Sequence, residues 1–334
     1  MKRFFAGLIL LLAVVAVSSA QIVEPLRRPS DKELRKAAKT LMYKTNGFDL
    51  TAKRLKAMDV VQAEINCYQP SDWRTYRNMS SPAQLDDAES AGVPYLLRQA
   101  MTKVKNEVAS TTVKEGKVAI WLLYNMGYIV KTPTSVFGID IYSKYVDELV
   151  EMLDFVMITH KHSDHCYKPF LQAMSAAGKQ VFAAFDIEGV NVTKVVHEGE
   201  YNVGDIMFRT TQGDHNKKML NAVTAYEIDC GRRTDNTVIY QVGDSCNFKQ
   251  LKPQKQVDIF MPHMAVGLNM YWALKNIKPH HVFLSHIQEL GHRVEKWRWT
   301  FHDALALKAK LQHDYVWIPC WGERVVYCRS DWGL

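Results

Sequence analysis

Three histidines and one aspartate are concentrated in residues 157–166, MITHKHSDHC, directly after an apolar run. That run, DFVMIT, has the composition of a buried β-strand, and a helical pattern begins near Lys168. We therefore predict a strand-to-helix loop that carries His160, His162, Asp164 and His165. Imidazole and carboxylate groups are ligands that zinc and similar ions prefer, and two histidines at positions i and i+2 can share one ion. The segment predicts a metal site, so the fold must deliver further ligands to this loop.

Three later segments offer such ligands. TTQGDHNK carries His215, TVIYQVGDS carries Asp244, and HVFLSHIQ carries His286. Each of these residues follows a strand-like run, so a layered sheet could bring them together at one edge. The alternative, a solvated loop that happens to be rich in histidine, does not account for these additional candidates. The sequence therefore predicts ligands for two metal ions.

The pattern of the chain changes near residue 113. From Pro29 to about Val113 it is helical and rich in polar residues, whereas from Lys117 onward short β runs alternate with helices. That alternation is typical of a layered α/β architecture. We therefore divide the chain into a signal segment (1–20), an N-terminal helical segment or cap (21–112) and an α/β domain (113–334).

Ten strand-like runs follow in the α/β domain: KVAIWLLY, GYIVKT, SVFGIDIY, DFVMIT, VFAAF, DIMFRTT, AVTAYEIDC, TVIYQVGD, VDIFMP and HVFLSH. Helices fit best at residues 168–177, 268–276 and 294–312. Near the C-terminus, YVWIPCWGERVVYC has the pattern of two short strands around a turn. A hairpin centred on Arg324 would place Cys320 opposite Cys328, either as a disulfide or as two buried thiols.

The first twenty residues, MKRFFAGLILLLAVVAVSSA, place Lys2 and Arg3 before an apolar run and end in small residues. This order is typical of a cleaved secretory signal. The alternative is an uncleaved anchor, but the apolar run is shorter than the roughly 20 residues that span a bilayer. We therefore expect a mature chain that begins near Gln21, is exported to the periplasm or the extracellular space, and is not inserted in a membrane after cleavage.

The charge balance excludes one class of partner. The net charge of +7 is mild, and its basic residues form neither a stripe nor a known nucleic-acid-binding motif. We expect a small molecule as the substrate and no nucleic acid. The sequence leaves open whether the protein forms a homo-oligomer.

The order of these motifs resembles that of the metallo-β-lactamase superfamily, over about residue 113 to the C-terminus. The resemblance implies a four-layer αββα sandwich that binds two divalent metal ions. It assigns His160, His162 and His215 to the first ion. It assigns Asp164, His165 and His286 to the second, with Asp244 bridging the two ions.

The resemblance also indicates a branch of the superfamily. Aspartate at the bridging position is similar to lactonase-like and phosphodiesterase-like members, whereas the narrower zinc β-lactamases often carry cysteine there. Cys246 lies two residues from Asp244, which makes a true β-lactamase the weaker hypothesis. Asp140, in FGIDIY, matches an aspartate that braces the site in many members. A turn-forming aspartate is an equal alternative for Asp140.

The chemistry of such a centre is independent of the family name. Two cations about 3.5 to 4 Å apart can hold a hydroxide between them and polarise a carbonyl or phosphoryl oxygen. We expect zinc first, with manganese and iron as alternatives. Asp164 would orient the hydroxide and act as the catalytic residue that carries the proton to the leaving group. The hypothesis is an exported, metal-dependent hydrolase of a small ester, lactone, amide or phosphoester.

Two other functions stay open at this point. One is an iron-dependent redox enzyme of the same fold, and the other is a non-catalytic protein that binds metal or a partner. Two further histidines have two interpretations each: His263 lines the pocket or packs at its rim, and His292 approaches the site or lies on a surface loop. For residues 21–112, we expect a helical cap that contributes to the pocket wall.

Overall fold

The computed structural model describes residues 27–332 of the chain. The predicted signal segment, residues 1–20, lies outside this range. Throughout the described residues, no helix is both long and apolar enough to cross a lipid bilayer. Helices occupy most of residues 31–110, and the strands of the described chain all come after them, beginning at Lys117.

The described residues form nine α-helices: α1 (Asp31–Tyr43), α2 (Ala52–Cys67), α3 (Pro70–Arg77), α4 (Pro82–Ala88), α5 (Gly92–Ser110), α6 (Val146–Met152), α7 (Lys168–Ala176), α8 (Met270–Ile277) and α9 (Phe301–Lys308). Helix α1 begins with a reciprocal cap. The Ser30 hydroxyl accepts from the backbone N–H of Glu33, and the Glu33 carboxylate accepts from the backbone N–H of Ser30 at 2.8 Å. Thr300 and Asp303 cap α9 in the same way. Such caps satisfy backbone donors that lack partners at a helix N-terminus.

Fourteen strands in the same part of the chain form two seven-stranded sheets. The first sheet, in the order β14-β1-β2-β3-β4-β5-β6, contains β1 (Lys117–Tyr124), β2 (Gly127–Lys131), β3 (Val136–Ile139), β4 (Phe155–Met157), β5 (Gln180–Ala183), β6 (Val192–Lys194) and β14 (Arg324–Cys328). The second, in the order β13-β12-β11-β10-β9-β8-β7, contains β7 (Glu200–Val203), β8 (Ile206–Gly213), β9 (Val223–Asp229), β10 (Val238–Gln241), β11 (Ile259–Met261), β12 (His281–Phe283) and β13 (Val316–Trp317). Strands β3 to β6 and β10 to β13 pair in parallel, and the other neighbours pair antiparallel.

Strand β1 shows how the layers are built. Its alternate residues Ala119, Trp121 and Leu123 belong to a core shared with α5, α6 and α7. The intervening residues Val118, Ile120 and Leu122 belong to a second core, which includes the strands of the other sheet. Because successive side chains of a strand point to opposite faces, a strand buried on both faces is apolar throughout. The predicted α/β class, an αββα sandwich preceded by a mainly helical segment, is confirmed.

The helical segment packs directly on the sandwich. Buried residues of α1 and α2 belong to the same core as the second sheet. The guanidinium of Arg54, on α2, is fully buried and forms an ion pair with Glu323, with Nη2 to Oε2 at 2.7 Å. It also donates to the carbonyl of Ile318 at 2.8 Å. Side chains from both sides of residue 113 therefore share one core. The division of the chain into two domains near that residue stays a prediction.

Two predictions near the C-terminus are wrong. The helix expected at residues 294–312 is only α9, because the chain turns through residues 289–299 and Trp297 adopts a left-handed backbone with φ 69°. The hairpin expected around Arg324 does not form, because β13 and β14 belong to different sheets. Cys320 and Cys328 are accordingly free, buried thiols.

Two strands were not predicted. The short edge strands β6 and β7 have exposed or half-buried residues throughout, so they lack the apolar pattern that marks a strand in sequence.

Candidate metal centre

The seven predicted ligands lie after the ends of four strands. The loop after β4 carries His160, His162, Asp164 and His165, while the other three residues follow strands of the second sheet. His215 comes after β8, Asp244 after β10, and His286 after β12. The structure therefore brings ligands from both sheets to one place, in groups whose members could hold an ion.

The first group consists of three histidines and a carboxylate. Candidate ligand atoms of His160, His162, His215 and Asp244 all lie within 4.8 Å of one another. The Nε2 atoms of His160 and His215 lie 3.6 Å and 3.3 Å from Oδ2 of Asp244. Three imidazoles and one carboxylate oxygen form a donor set that suits a divalent ion such as zinc.

The second group consists of Asp164, His165 and His286, whose candidate ligand atoms also lie within 4.8 Å of one another. Oδ2 of Asp164 lies 3.1 Å from Nε2 of His286 and 3.3 Å from Nε2 of His165. The same Oδ2 accepts a hydrogen bond from the side-chain amide of Asn125 at 3.1 Å.

Asp244 connects the two groups. Its Oδ2 faces His160 and His215, and its Oδ1 lies 3.3 Å from Nε2 of His165 in the second group. One carboxylate thus presents one oxygen to each group. This arrangement is what the resemblance implied for a bridging ligand.

Several of these atoms are buried without a hydrogen-bond partner: Nε2 of His160, His165 and His215, and Oδ1 of Asp244. A buried polar atom without a partner is costly, and such atoms rarely occur together. Because the four atoms converge from both groups, cations between them would satisfy all four. The residues therefore fit a two-ion centre.

Asp140 holds two of the histidines in the orientation that a metal ligand needs. Its carboxylate accepts from the backbone N–H of Thr159 at 2.7 Å, from the Thr159 hydroxyl at 2.6 Å and from Nδ1 of His165 at 2.9 Å. Since the Thr159 hydroxyl donates its only proton to Asp140, it must accept from Nδ1 of His160, 3.0 Å away. Both rings then carry their proton on Nδ1 and leave the Nε2 lone pair free to bind an ion.

Burial and charge set the pKa values of the group. Burial lowers the pKa of His160 well below its ordinary value, so this ring is neutral. Burial opposes ionisation of Asp244 as well, but the nearby imidazole of His165 holds the pKa of its carboxyl well below the usual range. For His165, burial is outweighed by Asp164 and Asp244, which raise its pKa.

Three residues of the site adopt the left-handed backbone, which only glycine adopts freely. They are Asn125 (φ 55°), Asp140 (φ 49°) and His286 (φ 64°). The backbone N–H of His286 donates to the carbonyl of Asn125, so two of these residues support each other. Unusual backbone conformations of this kind concentrate at functional sites.

Two more histidines belong to the surroundings of the centre. His263, just after β11, is buried and stacks on His286 with ring centroids 4.0 Å apart. Its Nδ1 accepts from the backbone N–H of Ala265 at 2.9 Å, so the proton of the neutral ring lies on Nε2. His292 is half-buried, and its Nδ1 pairs with Glu289 at 2.6 Å. Both histidines line the same cavity. The sequence alone had left two interpretations open for each of them.

That cavity has a volume of about 620 Å³. Its lining consists of His162, Asp164, His215, Asn216, Asp244, His263, Ala265, Val266, Gly267, His286, His292, Trp297 and Trp299. Within the described range, none of these residues comes from the helical segment. That segment reaches the site indirectly, through Arg298, whose guanidinium donates to the carbonyls of Ile65 and Tyr68 at the end of α2.

The class of protein follows from the sequence of this region. Residues 115–280 match the family model described as a β-lactamase superfamily domain. This region therefore belongs to the β-lactamase superfamily, as its motifs indicated. At the level of the family, this membership supports a metal-dependent hydrolase. No curated protein matches the chain.

Solved structures similar to this one include a metallo hydrolase from Ignicoccus hospitalis, at 17% identity and a TM-score of 0.49, covering 63% of this chain and 98% of that chain. An isothiocyanate hydrolase from Delia radicum gut bacteria has 16% identity and a TM-score of 0.49, and the match covers 63% of this chain and 99% of that chain. A diiron β-hydroxylase from Streptomyces venezuelae, CmlA, has 12% identity and a TM-score of 0.47, and the match covers 65% of this chain and 55% of that chain. At this level of likeness, none of their activities is carried over to this chain.

Proposed function

We propose that this protein is a hydrolase that uses two divalent metal ions to cleave a small ester, lactone, amide or phosphoester. The observation that carries the proposal is the position of Asp244. One of its oxygens faces His160 and His215, and the other faces His165. The buried nitrogens opposite those oxygens lack hydrogen-bond partners.

The two groups of ligands divide the binding between them. His160, His162 and His215 would hold the first ion. Asp164, His165 and His286 would hold the second, and Asp244 would hold both. When bound, the two ions supply Lewis acidity and make water a sufficiently strong nucleophile near neutral pH. Zinc suits this donor set best, and manganese or iron would also fit it.

Asp164 is the residue we assign to proton transfer. It lines the cavity, and the side-chain amide of Asn125 fixes its carboxylate through Oδ2. In this position it can orient the attacking water, hold the proton that the water releases and pass it to the leaving group. His263 offers Nε2–H as a donor to an oxygen of the substrate, because its Nδ1 is already occupied by the backbone of Ala265.

A hydrolysis screen tests the proposal. The purified protein would be stripped with a chelator, reloaded separately with zinc, manganese or iron, and supplied with esters, lactones, amides and phosphodiesters. We expect metal-dependent hydrolysis of at least one class. Asp164→Asn should lower kcat by about a hundredfold or more, since general acid–base catalysis contributes roughly 10² to 10⁴.

Asp154→Asn is the matched control. Asp154 is an exposed aspartate that accepts hydrogen bonds from Ser135 and Val136, away from the centre. Its variant should keep the wild-type rate. Absence of hydrolysis with every metal, or equal rates in the two variants, would contradict the proposal. Oxygen-dependent turnover with iron alone would favour the redox alternative.

We also propose that the protein is exported. The support is the order of basic, apolar and small residues in residues 1–20. N-terminal sequencing of the mature protein, expressed in full length, should find a start near Gln21. Recovery of an intact N-terminus from the cytoplasm would contradict this proposal without affecting the enzymatic one.

A further inference from the structure

Part of the lining of the cavity is apolar. Two kinds of residue line the same cavity. The first are the carboxylates and imidazoles of the centre, and the second are the uncharged residues Ala265, Val266, Gly267, Trp297 and Trp299. The volume of about 620 Å³ is that of a site for a ligand of moderate size. A substrate that occupies this cavity would therefore contact an apolar surface as well as the reacting centre.

Trp297 is the most exposed of these residues. Its relative exposure is 68%, although indole groups are usually well covered in folded proteins. Only one ring contact with it is present in the described structure: the edge of His292, with centroids 5.6 Å apart. Most of the indole surface is therefore available to a ligand in the cavity.

The loop that carries Trp297 is held by buried hydrogen bonds. Arg298 is 1% exposed and donates to the carbonyls of Glu289 and Leu290, both at 3.0 Å, as well as to the end of α2. The Glu289 carboxylate accepts from the backbone N–H groups of Gly291 and His292 at 2.6 Å and 2.9 Å. Because these bonds fix the backbone on both sides of Trp297, little ordering is needed when a ligand packs on the indole.

The cavity has no lysine or arginine among the lining residues of the described chain. Sites that recognise phosphate or carboxylate groups away from a metal commonly use such side chains. An uncharged group is therefore the better partner for the apolar residues of the lining. A flat aromatic ring fits best, because it can stack on an indole in an offset or edge-to-face arrangement.

We propose that the substrates of this centre carry an uncharged aryl group close to the bond that is hydrolysed, and that Trp297 binds this group. The inference rests on the proposed function, since it assigns a substrate class to the same site. Trp297 is a specificity-determining residue in this account and takes no part in the chemistry.

Calorimetric titration of the zinc-loaded protein tests the inference without relying on turnover. The ligands are product-like carboxylates: acetate, phenylacetate, 3-phenylpropionate and the non-aromatic cyclohexylacetate. We expect phenylacetate or 3-phenylpropionate to bind about tenfold more tightly than acetate, because the ring buries apolar surface. Trp297→Ala should weaken binding of the aryl ligands by about threefold to tenfold and leave acetate unchanged. Trp297→Phe should restore most of the aryl affinity.

Trp272→Ala is the matched control. Trp272, on α8, is another exposed tryptophan, but it stacks on Phe248 and does not line this cavity. Its variant should bind all four ligands like the wild type. Equal affinity for acetate and the aryl ligands would overturn the inference. So would cyclohexylacetate binding as tightly as phenylacetate, or a loss in Trp297→Ala that includes acetate.

The two possible failures are distinguishable. If the protein holds zinc and binds acetate but gains nothing from the aryl group, the inference fails and the proposed function stands. If the protein holds no zinc and binds no carboxylate, the proposed function fails, and the inference fails with it.

Discussion

Single residues decide whether the histidines can bind metal. Asp140 is the clearest case, because its carboxylate orients His165 directly and His160 through Thr159. Removing a group that orients a metal ligand in this way typically lowers metal affinity or activity by about tenfold to a hundredfold. Asp140 is fully buried, so no solvent molecule can replace its carboxylate.

Asp140→Asn should therefore lower the affinity for metal by about tenfold to a hundredfold. The amide has the same shape, but it can offer only one oxygen to Thr159 and His165. Competition with a chromophoric chelator would measure the affinity of each ion. Asp154→Asn again serves as the control, and equal affinities in the two variants would contradict a positioning role for Asp140.

At the residue scale, much of the centre was predictable. The spacing of His160, His162, Asp164 and His165 marks a metal site because histidine is rare and the pattern is dense. His263 is harder, since a single histidine after a strand occurs equally well in a protein core. Asn125 has no signal at all, because its contact with Asp164 depends on how β1 and β2 are joined, not on neighbouring sequence.

At the scale of elements, the loop of residues 289–299 shows where pattern reading fails. Its residues have helical propensity, yet the chain turns because Arg298 is drawn into the interior by four backbone carbonyls. Those partners lie on α2 and in the loop itself, and no local sequence pattern reveals them. By contrast, α7 was predicted almost to the residue, because its apolar spacing is local.

Arg298→Met should lower the free energy of unfolding by about 2 to 4 kcal/mol, because several buried carbonyls lose a charged donor. Arg293→Met is the control: Arg293 lies in the same loop but is exposed, so its loss should cost less than about 0.5 kcal/mol. Urea denaturation of both variants measures the difference. Similar values for the two would show that Arg298 does not hold the loop.

At the scale of the whole molecule, we expect the helical segment and the sandwich to unfold together. Their cores are continuous, and the buried ion pair of Arg54 and Glu323 joins them. The pattern of apolar residues predicted both parts but could not show their association, since the partners are separated by more than two hundred residues. A division into independent domains would instead give separate transitions.

Arg54→Met should destabilise the protein by about 3 to 5 kcal/mol, because it leaves the buried Glu323 carboxylate without its partner. The double variant Arg54→Met, Glu323→Leu should recover part of that loss. Arg27→Met removes the exposed pair with Glu33 and should leave the stability almost unchanged. Thermal unfolding should remain one transition in the wild type. Two transitions, with only the first affected by Arg54→Met, would contradict a continuous core.

In the proposed centre, Asp244 and six surrounding residues bind two metal ions. Elemental analysis of the protein, purified without chelator and reloaded with zinc, tests this assignment. We predict close to two ions per chain in the wild type and in His197→Ala, which removes an exposed histidine away from the centre. Asp244→Ala should hold fewer than one ion, because both groups lose a ligand, and His160→Ala should lose chiefly the first ion. A wild-type protein that binds no metal after reloading would show that these seven residues do not form a metal centre.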